Sequence, residues 1–351
     1  MSSLRDRLEK TQVWVYLLAI AIGLGLGLGV PGSQPFAEAL IWPGLALLMY
    51  STFSQVSLTE IPQAIRDGRF LAAALVGNFL LIPWAVWGLV HWAPDSPAAR
   101  LGLLMTLVAP CTDWFITFAQ LGRGDSLRAT ALAPLNMLIQ LPLVPLYISL
   151  FANNSAGLVL DADALIPAAA VILVPLTMVA CTEALISWGS RAEGSKRPQG
   201  HRGRRPVALG RLAALWHGKL GVLPVPLLAV VILCVMTSHA GEVVASLDLL
   251  PKVGRVCVAY LMVALVLAKV LARALHVTKE PARTLAFTFG TRNSFVVLPL
   301  ALALPAGWGL AAVVVIMQSI IELLGMIVFL WFVPRVLFPD DAVPDDVVEA
   351  R

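Results

Sequence analysis

The sequence predicts an all-α polytopic membrane protein, with ten transmembrane helices in two inverted five-helix repeats and with helices 4 and 9 discontinuous and crossing. Three observations predict it. Of 351 residues, 59% are hydrophobic and 13% charged, against about half and about a quarter in a soluble domain. The basic residues gather on one side of ten apolar runs, and the fourth and ninth runs are each broken by a polar cluster. The mean hydropathy of +0.84 excludes a soluble two-domain enzyme and a disordered chain. Crossing hydrocarbon takes about 20 apolar residues, so ten helices use about 200 and leave roughly 150 for ends and connections. A transmembrane β-barrel is excluded, because its strands alternate apolar and polar residues in segments of about 10.

The first run, 12–30, carries Gly23, Gly25, Gly27 and Gly29, whose i, i+4 spacing reads as close helix packing and not as a phosphate loop. It ends at Pro31-Gly32. The second, 40–56, leads to a basic connector at Arg66 to Gly68, and the third, 70–91, holds Asn78 and ends before Pro94-Asp95. The fourth, 101–120, is interrupted at Ala109-Pro110-Cys111-Thr112-Asp113-Trp114 and turns at Gly122-Arg123-Gly124. The fifth, 130–151, holds Asn136 and Gln140 and precedes Asn153-Asn154-Ser155, a glycosylation sequon. The sixth, 164–188, carries Thr182 and Glu183. A basic loop, 189–219, separates it from the seventh, 220–238. The eighth is 256–275. The ninth, 284–304, is interrupted at Gly290-Thr291-Arg292-Asn293-Ser294 and turns at Pro305-Ala306-Gly307. The tenth, 310–333, holds Gln318 and Glu322 at i and i+4, on one face.

Lys and Arg in short loops set orientation. With the N-terminus in the cytoplasm, 20 of the 25 basic residues face inward; Arg100, Lys252 and Arg255 fall outside, and Lys269 and Arg292 lie within spans. Both termini are thus expected in the cytoplasm, and the span number even. No cleavable signal peptide is expected, since Met1 to Lys10 is polar and the run after it is long and lacks an A-x-A site. The loop from Arg191 to Arg211 reads as a cytoplasmic linker beside anionic headgroups and not as a nucleic-acid site. Residues 340–351 read as a solvated acidic tail.

Ten spans divide into a first repeat, 1–163, and a second, 164–339. Five per half means that the halves insert with opposite topology, the plan of many secondary transporters. Broken helices are tolerated in lipid only where they line a cavity or are buried in protein. A matched pair of breaks therefore points to a binding site.

Arg292 is the strongest single candidate, because a charge inside a span costs about 3 kcal/mol or more and usually marks function. It needs a carboxylate, carbonyls, water or an anionic substrate, and Asp113, Glu322 and Glu183 are the candidate internal partners. Asn293, Ser294 and Thr112 beside the breaks supply amide and hydroxyl ligands. Asp113 and Glu322 are the candidate coupling carboxylates. A carboxyl in a cavity of low dielectric keeps its proton unless a cation such as Arg292 holds it ionised, which is the contest proton coupling needs. Cys111 reads either as a ligand for a thiophilic substrate or as a small buried hydrophobe, the reading that suits Cys181, Cys234 and Cys257. No C-x-x-C spacing indicates a metal site, no G-x-x-x-x-G-K-[ST] occurs, and no cofactor or enzymatic arrangement is expected.

The chain resembles the bile acid/sodium symporter superfamily, and within it the arsenical-resistance permeases that export arsenite. Ala46-Leu47-Leu48-Met49 and Leu58 to Phe70 are similar to the family's second span and basic connector. Ala109-Pro110-Cys111 to Leu121, with Gly122-Arg123-Gly124-Asp125, is similar to its first crossing helix. Phe287-Thr288-Phe289-Gly290-Thr291-Arg292-Asn293-Ser294 resembles its second. The resemblance implies a panel domain and a core domain whose broken helices cross at the site, and a functional role for Cys111. The sodium-coupled members carry Ser and Asn where this chain has Phe115 and Ile116, and Glu and Gln where it has Thr288 and Arg292. A guanidinium suits a cation-liganding position poorly, so protons are expected before sodium. The arsenite exporters carry a Glu just after the Asn, where this chain has Phe295 and Val296, so Asp113 or Glu322 would serve instead. The expected function is export of arsenite or a related metalloid oxyacid across the cytoplasmic membrane; the alternative is sodium- or proton-coupled transport of small organic anions. The expected partners are that substrate and the lipid bilayer, with a homodimer left open.

Overall fold

A computed structural model describes residues 2–55, 67–112, 114–151, 162–194, 220–305 and 307–340, with backbone alone at 2–10, 162–169 and 189–194. Every regular element among them is helical: α1 (Ser2–Gly29), α2 (Ser33–Phe53), α3 (Gly68–Val76), α4 (Ile82–Val90), α5 (Pro97–Val108), α6 (Trp114–Leu121) and α7 (Ser126–Phe151). The chain continues through α8 (Ala162–Gly194), α9 (Pro224–Ser238), α10 (Ala240–Ala245), α11 (Leu250–Ala274), α12 (Lys279–Gly290), α13 (Ser294–Leu302) and α14 (Leu310–Phe332). A π-helical turn, Gly77–Leu81, joins α3 to α4, and another, Val333–Leu337, follows α14. Helices satisfy their backbone groups internally, which hydrocarbon demands.

Seven helical stretches are long and apolar enough to cross a membrane, among them the continuous Gly68–Val90. The three remaining expected spans are the two that break, at 109–112 and 291–293, and the short apolar helix α9. The chain is a multi-pass helical membrane protein. Most of the basic loop expected at 189–219, the sequon and residues 341–351 of the acidic tail lie outside the described residues.

The helices pack in two groups that do not follow the order of the chain. α1 and α2 pack against α9, and α2 against α8. The seam between α1 and α9 needs two of the four glycines: a Cβ on Gly27 would lie 2.4 Å from the Thr237 carbonyl oxygen, and one on Gly23 2.6 Å from that of Leu233. Gly25 and Gly29 face open space. The second group centres on α14, which packs on α5, α11 and α13. α13 also touches α2 and α8, so the second broken helix links the two groups.

Two charged groups make contacts that the sequence does not show. Asp340 is exposed, as expected of the tail, yet it takes the guanidinium of Arg283, itself 2% exposed, and lies 3.0 Å from Arg123. The hydrogen bond from Arg283 holds its carboxyl below the usual carboxylate range. Lys269 donates to the Leu337 carbonyl and sits over the Phe338 ring at 4.6 Å, which ties the π-helical turn after α14 to α11.

Candidate functional site

The two breaks meet. Pro110 and Arg292 form an isolated antiparallel bridge, in which the Cys111 N–H donates to the Thr291 carbonyl at 3.3 Å and the Asn293 N–H to the Ala109 carbonyl at 2.8 Å. Pro110 has no N–H to offer, so the pairing falls on its neighbours. Each break thus satisfies the other's main chain, which is how irregular backbone survives inside a membrane protein.

The local sequence explains where the breaks fall. α5 ends where Ala109 turns to extended backbone before Pro110, a conformation that a following proline favours. α13 restarts at an Asn293 cap, whose Oδ1 accepts from the Val296 N–H at 3.2 Å. The same amide donates through Nδ2 to Thr112 Oγ1 at 3.3 Å and to Gln140 Oε1 at 3.4 Å. Asn293 therefore joins both breaks and α7. Asn136, also on α7, donates to the Cys111 carbonyl at 3.3 Å and to Thr288 Oγ1 at 3.4 Å.

Cys111, Thr112, Arg292, Asn293 and Ser294 all lie at the crossing, between 0% and 5% exposed. Ser294 donates to Gln318 Oε1 at 3.2 Å, and the Thr106 hydroxyl donates to the same oxygen at 2.9 Å. The Ser319 hydroxyl donates to Ser294 Oγ at 2.6 Å. Gln318 donates in turn to Glu322 Oε2 at 2.7 Å, and the Arg292 N–H donates to that oxygen at 2.8 Å. Asp113 lies outside the described residues.

Of the carboxylates expected to partner Arg292, Asp113 lies outside the described residues, and the other two do not pair with its side chain. Among the described residues no carboxylate lies within ion-pair distance of its guanidinium; Glu322 meets its backbone instead. Glu183 sits on α8, half-buried, and does not join the crossing. The guanidinium turns the other way. Its Nη2 donates to Asn78 Oδ1 at 3.0 Å, to the Thr288 carbonyl at 2.8 Å and to the Phe289 carbonyl at 2.9 Å, and the Tyr260 ring lies 5.5 Å away. Nε and Nη1 of Arg292, Oδ1 of Asn136 and Nε2 of Gln140 are buried without a hydrogen-bond partner among the described residues, while the Trp114 indole N–H approaches the Glu322 carboxyl without reaching good bonding geometry. So many unmade bonds at one place, each costing about 1–3 kcal/mol if left bare, fit a site that receives polar guests.

Sequence reading underrated Asn78, named Thr288 only through the family resemblance, and passed over Tyr260 and Thr106. The signal for Asn78 was the adjacent Gly77, which opens the π-turn; such turns often mark functional sites. A Cβ on Gly77 would fall 2.0 Å from the Phe289 ring. Gly77→Ala is therefore expected to push Phe289 aside and lower stability by about 1–3 kcal/mol, the range for overpacked cores. Thermal unfolding of the purified variant measures it. Among the described residues no group of three or more His, Cys, Asp or Glu is placed to hold a metal ion.

Comparison with known proteins adds the family context. Residues 42–186, which include the first break, match the family model described as "Sodium Bile acid symporter family". The chain is also 26% identical over 98 residues to the arsenical-resistance protein Acr3 of Corynebacterium glutamicum. That match covers 28% of this chain and 26% of the relative's length. This polytopic membrane protein resembles the bile acid/sodium symporter superfamily, and within it the arsenical-resistance permeases.

Proposed function

We propose that this chain is a secondary active transporter that exports arsenite, or a related metalloid oxyacid, from the cytoplasm, driven by proton exchange. The observation that carries the reading is the bonded crossing of two broken helices, with a buried thiol, two hydroxyls and an amide held at the bridge. Ten spans in two inverted repeats, with both termini in the cytoplasm, are the frame we infer for it. The likeness to an arsenical-resistance protein supports the substrate.

In this reading Cys111 is the thiophilic contact. Arsenous acid is mostly neutral at physiological pH, so a thiol and hydrogen-bonding neighbours suffice to hold it without a counter-ion. Thr112, Asn293 and Ser294 offer those neighbours, and Arg292 completes the site with Nε and Nη1. Asp113 and Glu322 carry the coupling protons. A single thiol binds weakly enough to release its cargo, which transport requires.

Expression in an arsenite-hypersensitive bacterium tests the reading: arsenite tolerance should rise and retained arsenite fall. Unchanged tolerance and retention reject the substrate. The second reading, transport of a small organic anion, is favoured by one observation, the two unpartnered guanidinium nitrogens of Arg292. It predicts flux of a labelled carboxylate or sulfonate in proteoliposomes, with no effect on arsenite tolerance.

A further inference from the structure

We propose that the Arg292 guanidinium is a tethered cation that fills a monovalent-cation seat at the end of α12, and that the chain therefore needs no alkali cation there. The seat follows from backbone accounting. α12 ends at Gly290, so the carbonyls of its last turn lack their usual partners. The Arg292 N–H would ordinarily reach the Thr288 carbonyl, but it goes to Glu322. The Asn293 N–H would ordinarily reach the Phe289 carbonyl, but it crosses to Ala109. The helix crossing itself thus frees two carbonyl oxygens at the negative end of a helix. Asn78 supplies a third oxygen. All three converge on one atom, Nη2 of Arg292, at 2.8–3.0 Å.

Two main-chain carbonyls and a side-chain amide at a helix C-terminus are the kind of ligands that hold monovalent cations in broken-helix transporters. Here they surround a nitrogen bearing positive charge. The seat is also fixed by groups other than Arg292. Asn78 Nδ2 donates to Thr288 Oγ1 at 3.2 Å, which aims its Oδ1 inward. The Tyr260 hydroxyl donates to the Phe289 carbonyl at 2.6 Å. The oxygens therefore stay in place when the guanidinium is taken away; the Thr288 carbonyl and Asn78 Oδ1 are then buried without their donor, and the Phe289 carbonyl keeps only Tyr260. A dehydrated alkali cation is the simplest replacement.

The test compares thermal unfolding of purified wild type and Arg292→Gln in sodium chloride and in choline chloride of equal ionic strength. Wild type should unfold at the same temperature in both. Arg292→Gln should show a saturable rise in Tm with sodium, and adding Asn78→Ala should weaken the apparent sodium affinity at least tenfold. A sodium-specific rise in wild type overturns the proposal. So does indifference of Arg292→Gln to sodium, lithium and potassium, or failure to recover that variant in sodium when Arg292→Lys is recovered. A second arm replaces sodium by choline during wild-type transport, and a sodium requirement there also overturns it. The proposal takes its functional meaning from the transporter reading, but the unfolding arm contains no substrate, so a wrong substrate and a wrong seat fail separately.

Discussion

Cys111→Ser is expected to abolish arsenite export while leaving the protein folded. Cys111 is 1% exposed; its N–H reaches the Thr291 carbonyl, and its carbonyl accepts from Asn136. Serine preserves both and nearly preserves the volume. What it removes is a soft sulfur ligand, which oxygen does not replace for a thiophilic centre. A loss of at least tenfold in transport, equal to about 1.4 kcal/mol or more of interaction, should appear in arsenite uptake by everted vesicles. Thermal stability should change by less than about 1 kcal/mol, since the swap neither opens a large cavity nor strands a backbone group. Full transport by the serine variant removes the thiol from the site. Unchanged carboxylate flux in the same vesicles would favour the organic-anion reading.

The breaks themselves were legible in the sequence because polar groups inside an apolar run have few explanations in lipid. Their partners were less so. Pro110 and Arg292 lie 182 positions apart, and no local pattern says that their backbones pair. Arg292 was visible as a mid-span charge, yet the sequence pointed it toward carboxylates. The reason it turns away is invisible to composition: the crossing diverts two backbone N–H groups, and the carbonyls so released offer a closer home than Glu322. Main-chain oxygens carry no sequence signature. Gln318 and Glu322 were legible for the opposite reason, since their i, i+4 spacing places them on one helix face whatever the fold. Gly23 and Gly27 likewise gave the α1–α9 seam, whereas Gly25 and Gly29 belong to the same pattern and touch nothing. Periodicity identifies a face, and only packing shows which of its residues meets a neighbour.

Glu322→Gln is expected to uncouple export from the proton gradient without unfolding the chain. The carboxylate has two separable tasks. Oε2 is a structural acceptor, holding the Arg292 N–H at 2.8 Å and Gln318 Nε2 at 2.7 Å. Oε1 is buried and makes no hydrogen bond of good geometry, with the Trp114 indole N–H its polar neighbour, and no cation among the described residues forms an ion pair with the group. Glutamine retains an acceptor for the first task and cannot gain or lose a proton at neutral pH for the second. Alanine removes both, stranding two buried donors at about 1–3 kcal/mol each and leaving a cavity. Glu322→Ala should therefore lose several kcal/mol of stability, of the order of about 3 or more, whereas Glu322→Gln should stay within about 1 kcal/mol of wild type. Transport should separate the pair from a purely structural role. Export by the glutamine variant should fall at least tenfold and no longer respond to an imposed pH gradient across proteoliposomes. If that variant keeps gradient-driven export at the wild-type rate, Glu322 serves only to hold the crossing backbone, and the coupling proton must be carried by Asp113.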